Sequence, residues 1–286
     1  MRYFITGATG LLGRQVVARL RALEPQAHIG CLVRSTEASM MITQAGAEPI
    51  HGSLEDEDAL RRGVTSSEYV IHLAGATHER DEASYYRVNA DGTARLVRIA
   101  AAAAVRRFVF ASSRAIHAAC GAYALSKQRA EEAIRASQLR YTIVRFAEVY
   151  GPQTGEGISQ LFRLVRRSLV VPVLRGVRLA PVHLSDAVEA LIRCVQQPAA
   201  EGKIYTIAGP RSYSLEECAQ LIATALGVRR VLVPIPLSVA RLVGRCVGAP
   251  DQIDRLQCHK DDDITPARRD LGFAPRSFEE GVRCLL

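Results

Sequence analysis

The segment from Arg2 to Arg14, Arg-Tyr-Phe-Ile-Thr-Gly7-Ala-Thr-Gly10-Leu-Leu-Gly13-Arg, constrains this chain more than any other. A short apolar run that ends in glycines reads as a buried strand, and Val16, Val17, Leu20 and Leu23 come after it at the spacing of a helix lying on that strand. Strand, tight turn and helix in this order form the phosphate-binding unit of a doubly wound α/β fold. Gly7 allows the sharp turn, Gly10 lets a pyrophosphate approach backbone N–H groups, and Gly13 lets the helix pack close to the sheet. The ligand anion is then expected on the helix N-terminus, and Gly7, Thr9, Gly10, Leu11, Leu12 and Gly13 are the expected ligand-binding residues of this turn.

A chain of 286 residues that is 48% hydrophobic can bury a large core and fits one elaborated α/β domain, or such a domain with a smaller lobe. Its seven cysteines (Cys31, Cys120, Cys194, Cys218, Cys246, Cys258 and Cys284) are odd in number, scattered, and form no C-x-x-C pair. Neither a disulfide framework nor a metal site is expected, and a reducing cytoplasm is. The first strand begins at Arg2, which leaves no room for a signal peptide, and no apolar run approaches the roughly 20 residues of a spanning helix. The net charge of +8 sits in dispersed pairs such as Arg61-Arg62, Arg166-Arg167 and Arg229-Arg230, with no nucleic-acid motif beside them. A basic surface facing phosphate-bearing ligands or an anionic membrane accounts for it without nucleic acid.

The spacing Thr6-Gly7-x-x-Gly10-x-x-Gly13 resembles the fingerprint of the short-chain dehydrogenases/reductases, in their extended or atypical branch. The resemblance implies a Rossmann-type doubly wound parallel sheet with a small C-terminal substrate lobe, and a nicotinamide dinucleotide as cofactor. Segments down the chain extend it. The second strand, His28 to Val33, is followed by Arg34, where a carboxylate would select NAD and an arginine pairs with the extra phosphate of NADP. With Arg14 nearby and no acid at that turn, NADPH is the expected cofactor and NAD the alternative. Glu48-Pro-Ile-His-Gly52-Ser53-Leu54 resembles the family's third strand, with Ser53 in place of the usual aspartate at the adenine. Tyr69-Val-Ile-His72-Leu73-Ala74-Gly75 is similar to the fourth, whose small residues let a flat cofactor lie on the backbone; His72 is read as structural. Asn89-Ala-Asp-Gly92-Thr93 resembles the family's N-x-x-G-T helix, in which Gly92 calls for a close-packing reason.

Arg107-Phe-Val-Phe-Ala-Ser112-Ser113 reads as a fifth strand, and Tyr123 and Lys127 lie beyond it, one helical turn apart. A free phenol titrates at about 10; a nearby ammonium favours the phenolate and lets Tyr123 exchange a proton with a substrate hydroxyl. The resemblance implies a catalytic triad of Ser113, Tyr123 and Lys127, with Ser112 as the alternative serine and Tyr123 and Lys127 also touching the cofactor. The interval from serine to tyrosine is short for sugar-nucleotide enzymes of the family.

Arg140 to Pro152 reads as the sixth strand and the exit from the nucleotide-binding domain, similar to the family's R-P-x-x-V-Y-G-P with Phe146 for proline. Residues 1–151 and 183–209 are assigned to that domain, and 152–182 and 210–286 to the lobe. Ser185 or Asp186 is expected to cap the helix after Val182-His183, and Ser214-Leu-Glu-Glu217 reads as a capping box. The apolar stretch Val231 to Val243 could pack on the core, line a greasy pocket or lie on a membrane, with core packing preferred. The favoured function is NAD(P)-dependent hydride transfer to or from a carbonyl or hydroxyl of a small molecule. Nucleotide-sugar epimerisation or dehydration is the second reading, weakened because Leu179 stands where an arginine would hold the diphosphate, with Arg178 one position off. A non-catalytic NADPH-binding structural or regulatory protein is the reading of another class. Peripheral membrane contact and a homodimer are compatible with all three.

Overall fold

The computed structural model describes residues 1–77, 79, 81–118, 121–152, 157–240 and 262–286. In chain order its elements are β1 (Arg2–Thr6), α1 (Leu11–Leu23), β2 (His28–Val33), α2 (Thr36–Gln44), β3 (Glu48–His51), α3 (Glu57–Thr65), β4 (Tyr69–His72) and α4 (Glu82–Tyr85). A π-helical turn, Tyr86–Asp91, leads into α5 (Gly92–Ala102), then β5 (Arg107–Ser113), α6 (Gly121–Arg135), β6 (Tyr141–Phe146), β7 (Val149–Tyr150), α7 (Ile158–Arg167) and β8 (Val170–Leu174). The chain continues through β9 (Arg178–Leu179), β10 (Val182–His183), α8 (Leu184–Gln196), β11 (Lys203–Ile207), β12 (Tyr213–Ser214), α9 (Leu215–Ala225), β13 (Val231–Ile235), α10 (Thr265–Leu271) and α11 (Phe278–Arg283).

Seven strands form one sheet in the order β3-β2-β1-β4-β5-β6-β11, every neighbouring pair parallel. Crossover helices cover both faces, so the strands read as apolar runs. Val16, Val17 and Leu20 of α1 pack with Leu191 and Val195 of α8 on one face. On the other lie Leu60 and Val64 of α3, Leu96 of α5 and Ile134 of α6. The chain leaves β1 for β2 on one side and returns to β4 on the other, which opens a crevice at the carboxyl ends of these strands.

A third core joins Val165, Val171, Leu179, Tyr213, Ile222, Phe278 and Val282, drawn from α7 through β9 and from β12 onward. Its small sheets pair β7 with β10, β9 with β12 and β8 with β13. Ile264, Ala267, Leu271 and Phe273 lie inside the stretch assigned to the lobe, yet they pack into the large sheet core beside α8. The reason is the apolar face of α10, which meets β11 and α8.

The capping box at Ser214 and Glu217 forms as expected. At α8 the expectation changes: His183 is the cap, its Nδ1 accepting from the Ser185 backbone at 3.3 Å. Asp186 is instead held by Arg276, whose Nε and Nη2 donate to it at 3.0 and 2.9 Å. The preferred core packing of the Val231 stretch accounts for Leu232, Leu237 and Ala240, while Val231, Val233 and Val239 stay exposed. The remainder of that stretch, from residue 241, lies outside the described residues, as do residues 153–156. Among the described residues no helix is long and apolar enough to cross a membrane.

Candidate active site

Between β1 and α1 the glycines do what their spacing requires. Gly7 has φ +75°, and a Cβ there would stand 2.5 Å from the Ala74 nitrogen; a Cβ on Gly13 would run into the Gly7 carbonyl oxygen. Gly10 begins α1 with no side chain capping it, so the first N–H groups of the helix remain available to a ligand. This turn forms one wall of a cleft of about 450 Å³ at the carboxyl ends of β1, β2 and β4. Of the residues expected at the cofactor, Gly7, Thr9 and Gly10 line it at the turn, Arg34, Ser53 and Leu54 at one end, and Leu73, Ala74 and Gly75 just beyond β4. Leu11 and Leu12 instead rest on the sheet core, and Gly13 is buried beneath the turn.

Sequence reasoning missed Glu55, Glu79 and Arg87 in this lining. Arg87 lies on the π-helical turn, with Nε 3.3 Å from Glu55. At Gly92 a Cβ would stand 2.9 Å from the Leu54 Cβ, which explains a glycine inside this helix.

Beyond Gly75 the cleft meets the buried polar groups of α6. A Cβ on Gly75 would lie 3.1 Å from both Lys127 Nζ and Asn89 Oδ1. Lys127 is 4% exposed and Tyr123 9%. Lys127 Nζ donates to the Ala111 carbonyl at 2.9 Å and sits 4.7 Å from the Phe110 ring centre, which ties α6 to the end of β5. Burial lowers the Lys127 pKa to about 8, opposed by the charge of Glu131 one turn further on. Tyr123 packs edge-on to Tyr85, 5.9 Å between ring centres.

Asn89 is fully buried: its Oδ1 accepts from the Ala76 nitrogen at 2.8 Å, and its Nδ2 donates to the Ala76 carbonyl and to Ser126 Oγ, both at 3.0 Å. Ser126 Oγ in turn donates to the Tyr123 carbonyl at 2.8 Å. One amide thus staples the strand-end backbone to the helix that carries Tyr123 and Lys127. The N-x-x-G-T segment marked the position, but nothing in the sequence announced this bridge.

The two serines diverge. Ser112 Oγ donates to Glu131 at 2.6 Å, and Arg145 holds the other oxygen of that buried carboxylate at 2.6 Å. Ser113 is half-buried, and its Oγ accepts from the Ala115 nitrogen at 3.1 Å. His72 is structural, as read: Nδ1 and Nε2 meet the Thr6 and Thr93 hydroxyls at 2.6 and 2.8 Å. Complete burial, with the Lys127 charge adding to it, lowers its pKa to about 3, so the ring is neutral. Next to Ser113, the buried Arg114 is paired to Glu148 at 2.6 Å and to Asp262. Arg178 donates to the Ser212 carbonyl at 2.8 Å and pairs with Glu217 at 3.7 Å.

A crevice at a strand-order switch, a glycine-lined helix start and a buried Tyr-Lys turn together define a Rossmann-fold oxidoreductase of the short-chain dehydrogenase/reductase type. The chain belongs to the NAD dependent epimerase/dehydratase family, whose sequence profile matches residues 3–208. Over 308 aligned positions it is 26% identical to the UDP-glucose 4-epimerase of Vibrio cholerae, spanning 98% of this chain and 92% of that one. It is 37% identical over 196 residues to the ceramide reductase of Caulobacter vibrioides (strain NA1000 / CB15N), spanning 68% of this chain and 61% of that protein. Among solved structures, the UDP-glucose 4-epimerase of Thermotoga maritima with UDP-glucose superposes with a TM-score of 0.80 at 20% identity, covering 100% of this chain and 97% of that one. At that identity the likeness bears on the fold.

Proposed function

We propose that the protein is an NADPH-preferring reductase of a carbonyl compound. The observation that carries this reading is the buried Lys127 ammonium, held against the Ala111 carbonyl and the Gly75 backbone one turn from Tyr123. The cradle fits a dinucleotide: Gly7, Thr9 and Gly10 line it, a side chain on Gly7 or Gly13 would force the turn apart, and α1 begins without a cap. Gly7, Thr9 and Gly10 would hold the pyrophosphate, with Gly13 beneath them letting α1 come close, Arg34 and Ser53 the adenosine half, and Leu73 to Gly75 the nicotinamide half. When bound, the cofactor supplies the hydride.

Tyr123 donates the proton to the substrate oxygen, and Lys127 stabilises the phenolate left behind. Ser113 holds the same oxygen. Asn89 keeps α6 and the end of β4 in register, so the proton donor and the cofactor wall stay together. The lobe of residues 152–182 and 210–286, with Ile264 to Phe273 returning to the main core, closes one wall of the substrate pocket.

Two observations favour reduction over sugar-nucleotide epimerisation. Arg178 is committed to Ser212 and Glu217 rather than left for a diphosphate, and the 37% relative is a ceramide reductase. Epimerisation is the second reading, supported by the Vibrio cholerae relative, which is matched over 98% of this chain. The test is a panel of ceramides, simple ketones and nucleotide sugars incubated with NADPH or NADH. Cofactor consumption on a carbonyl, lost by about two to four orders of magnitude in Tyr123→Phe, is the expected result. Interconversion of nucleotide sugars without net cofactor consumption would give the second reading, and tight NADPH binding with no turnover on any class would give a non-catalytic protein.

A further inference from the structure

The small sheet of β8 and β13 is apolar on both faces. Val171 and Val173 are buried in the lobe core, while the face turned to water carries Val170, Val231 and Val233. Val170 and Val231 are register partners, 51% and 56% exposed; Leu169 beside them is 69% exposed and Val233 38%. A solvated sheet face ordinarily alternates to polar side chains, and these do not.

Arginines gather at the same place. The Val231 nitrogen donates to the Leu169 carbonyl at 2.9 Å, and Arg230 Nε to the Val165 carbonyl at 2.6 Å. These bonds, with one from Arg230 Nη2 to the Arg166 carbonyl at 3.2 Å, tie the Arg229-Arg230 segment to the last turn of α7, which ends in Arg166 and Arg167, at the end of the sheet where the apolar side chains are most exposed. Arg175 stands at the other end, just past β8. Arg166, Arg167, Arg175 and Arg229 are exposed, and none pairs with a carboxylate among the described residues.

We infer that this face docks on an anionic lipid bilayer. Leu169, Val170, Val231 and Val233 enter the boundary between headgroups and acyl chains, and the four arginines meet the lipid phosphates. The chemistry of the patch selects this occupant. A second copy related by a two-fold axis would set the arginines of one copy against those of the other. Pro172 and Pro234 lack N–H groups and blunt both strands against pairing with a further strand. Among the described residues the patch exposes none of the aromatic anchors that dominate protein interfaces. Membrane docking does not depend on the catalytic reading, and its test needs no turnover.

The test is co-sedimentation of the full-length protein with phosphatidylcholine vesicles, with and without phosphatidylglycerol. Binding is expected only to vesicles containing phosphatidylglycerol, and it should weaken as salt is raised. Val231→Glu with Val233→Glu, and separately Arg166→Glu with Arg167→Glu, should each lower partitioning by about tenfold or more while leaving NADPH affinity unchanged. Absence of vesicle binding, or binding that neither double variant alters, would overturn the proposal. So would a dimer in light scattering that Val231→Glu splits, because the face would then join two copies.

Discussion

The hydroxyl of Ser112 donates to the carboxylate of Glu131 at 2.6 Å, and this bond commits one of two adjacent serines to the interior. Successive side chains on a strand point to opposite faces, so among the described residues the Ser113 hydroxyl has the local bond from the Ala115 nitrogen. Ser113→Ala should therefore lower kcat by about two orders of magnitude, as for a lost donor to a reacting oxygen, and leave stability nearly unchanged. Ser112→Ala should do the reverse, removing about 1–3 kcal/mol of stability by depriving a buried carboxylate of a partner. Denaturant titration and steady-state kinetics on the two variants separate the roles.

Arg34 lines the cleft end where the adenosine ribose would lie. An arginine gains a charge-assisted pair with a 2′-phosphate that it cannot gain with a hydroxyl. Arg34→Ala should weaken NADPH binding by about tenfold to a hundredfold and change NADH binding little. Fluorescence titration of both cofactors reads this directly, and equal wild-type affinities would dismiss the preference.

His72 supplies an acid-side prediction. Its folded pKa of about 3 lies below the ordinary 6.5, so between these values the unfolded chain binds more protons than the folded one. The His72 contribution is complete above pH 6.5 and is lost as pH falls toward 3. Denaturation midpoints measured across that window should fall with pH in the wild type. His72→Gln should be less stable at neutral pH and show a shallower fall.

Lys127 sets the basic side. With a pKa of about 8 its charge is lost near that pH, so kcat/KM should fall as pH rises through it. The Glu131 carboxylate holds the lysine pKa up; Glu131→Gln should move the falling limb to lower pH. The same pKa lies below the ordinary 10.5, so this group makes folding more favourable as pH rises from about 8 to 10.5. Activity and stability should therefore diverge there, which a paired pH series would detect.

The legible part of the molecule was the local part. The glycine turn at Gly7 to Gly13, the strand ends at Arg34 and Gly75, and the Tyr123 to Lys127 turn each lie within a few residues of chain, where periodicity and turn chemistry speak. The contacts that went unread join distant segments. Asn89 reaches Ala76 and Ser126, Glu131 gathers Ser112 and Arg145, and Arg114 meets Glu148 and Asp262. Such pairs are set by which strands lie side by side, so no window of sequence contains them. The reversal at α8 has the same origin: Asp186 is drawn away from the helix start by Arg276, far along the chain.

The π-helical turn at Tyr86–Asp91 puts an extra residue into one turn of helix ahead of Gly92. Each residue of an α-helix rotates the chain by about 100°, so the bulge sets the rotational phase between α4 on one side and α5 on the other. Within the bulge Asn89 bonds to Ala76, and just past it Gly92 packs against Leu54. A one-residue deletion here would act like a slipped gear tooth: every later side chain of α5 could keep its place only if Asn89 turned away from β4, or the reverse. This stretch therefore tolerates substitution at its exposed positions far better than any change in its length.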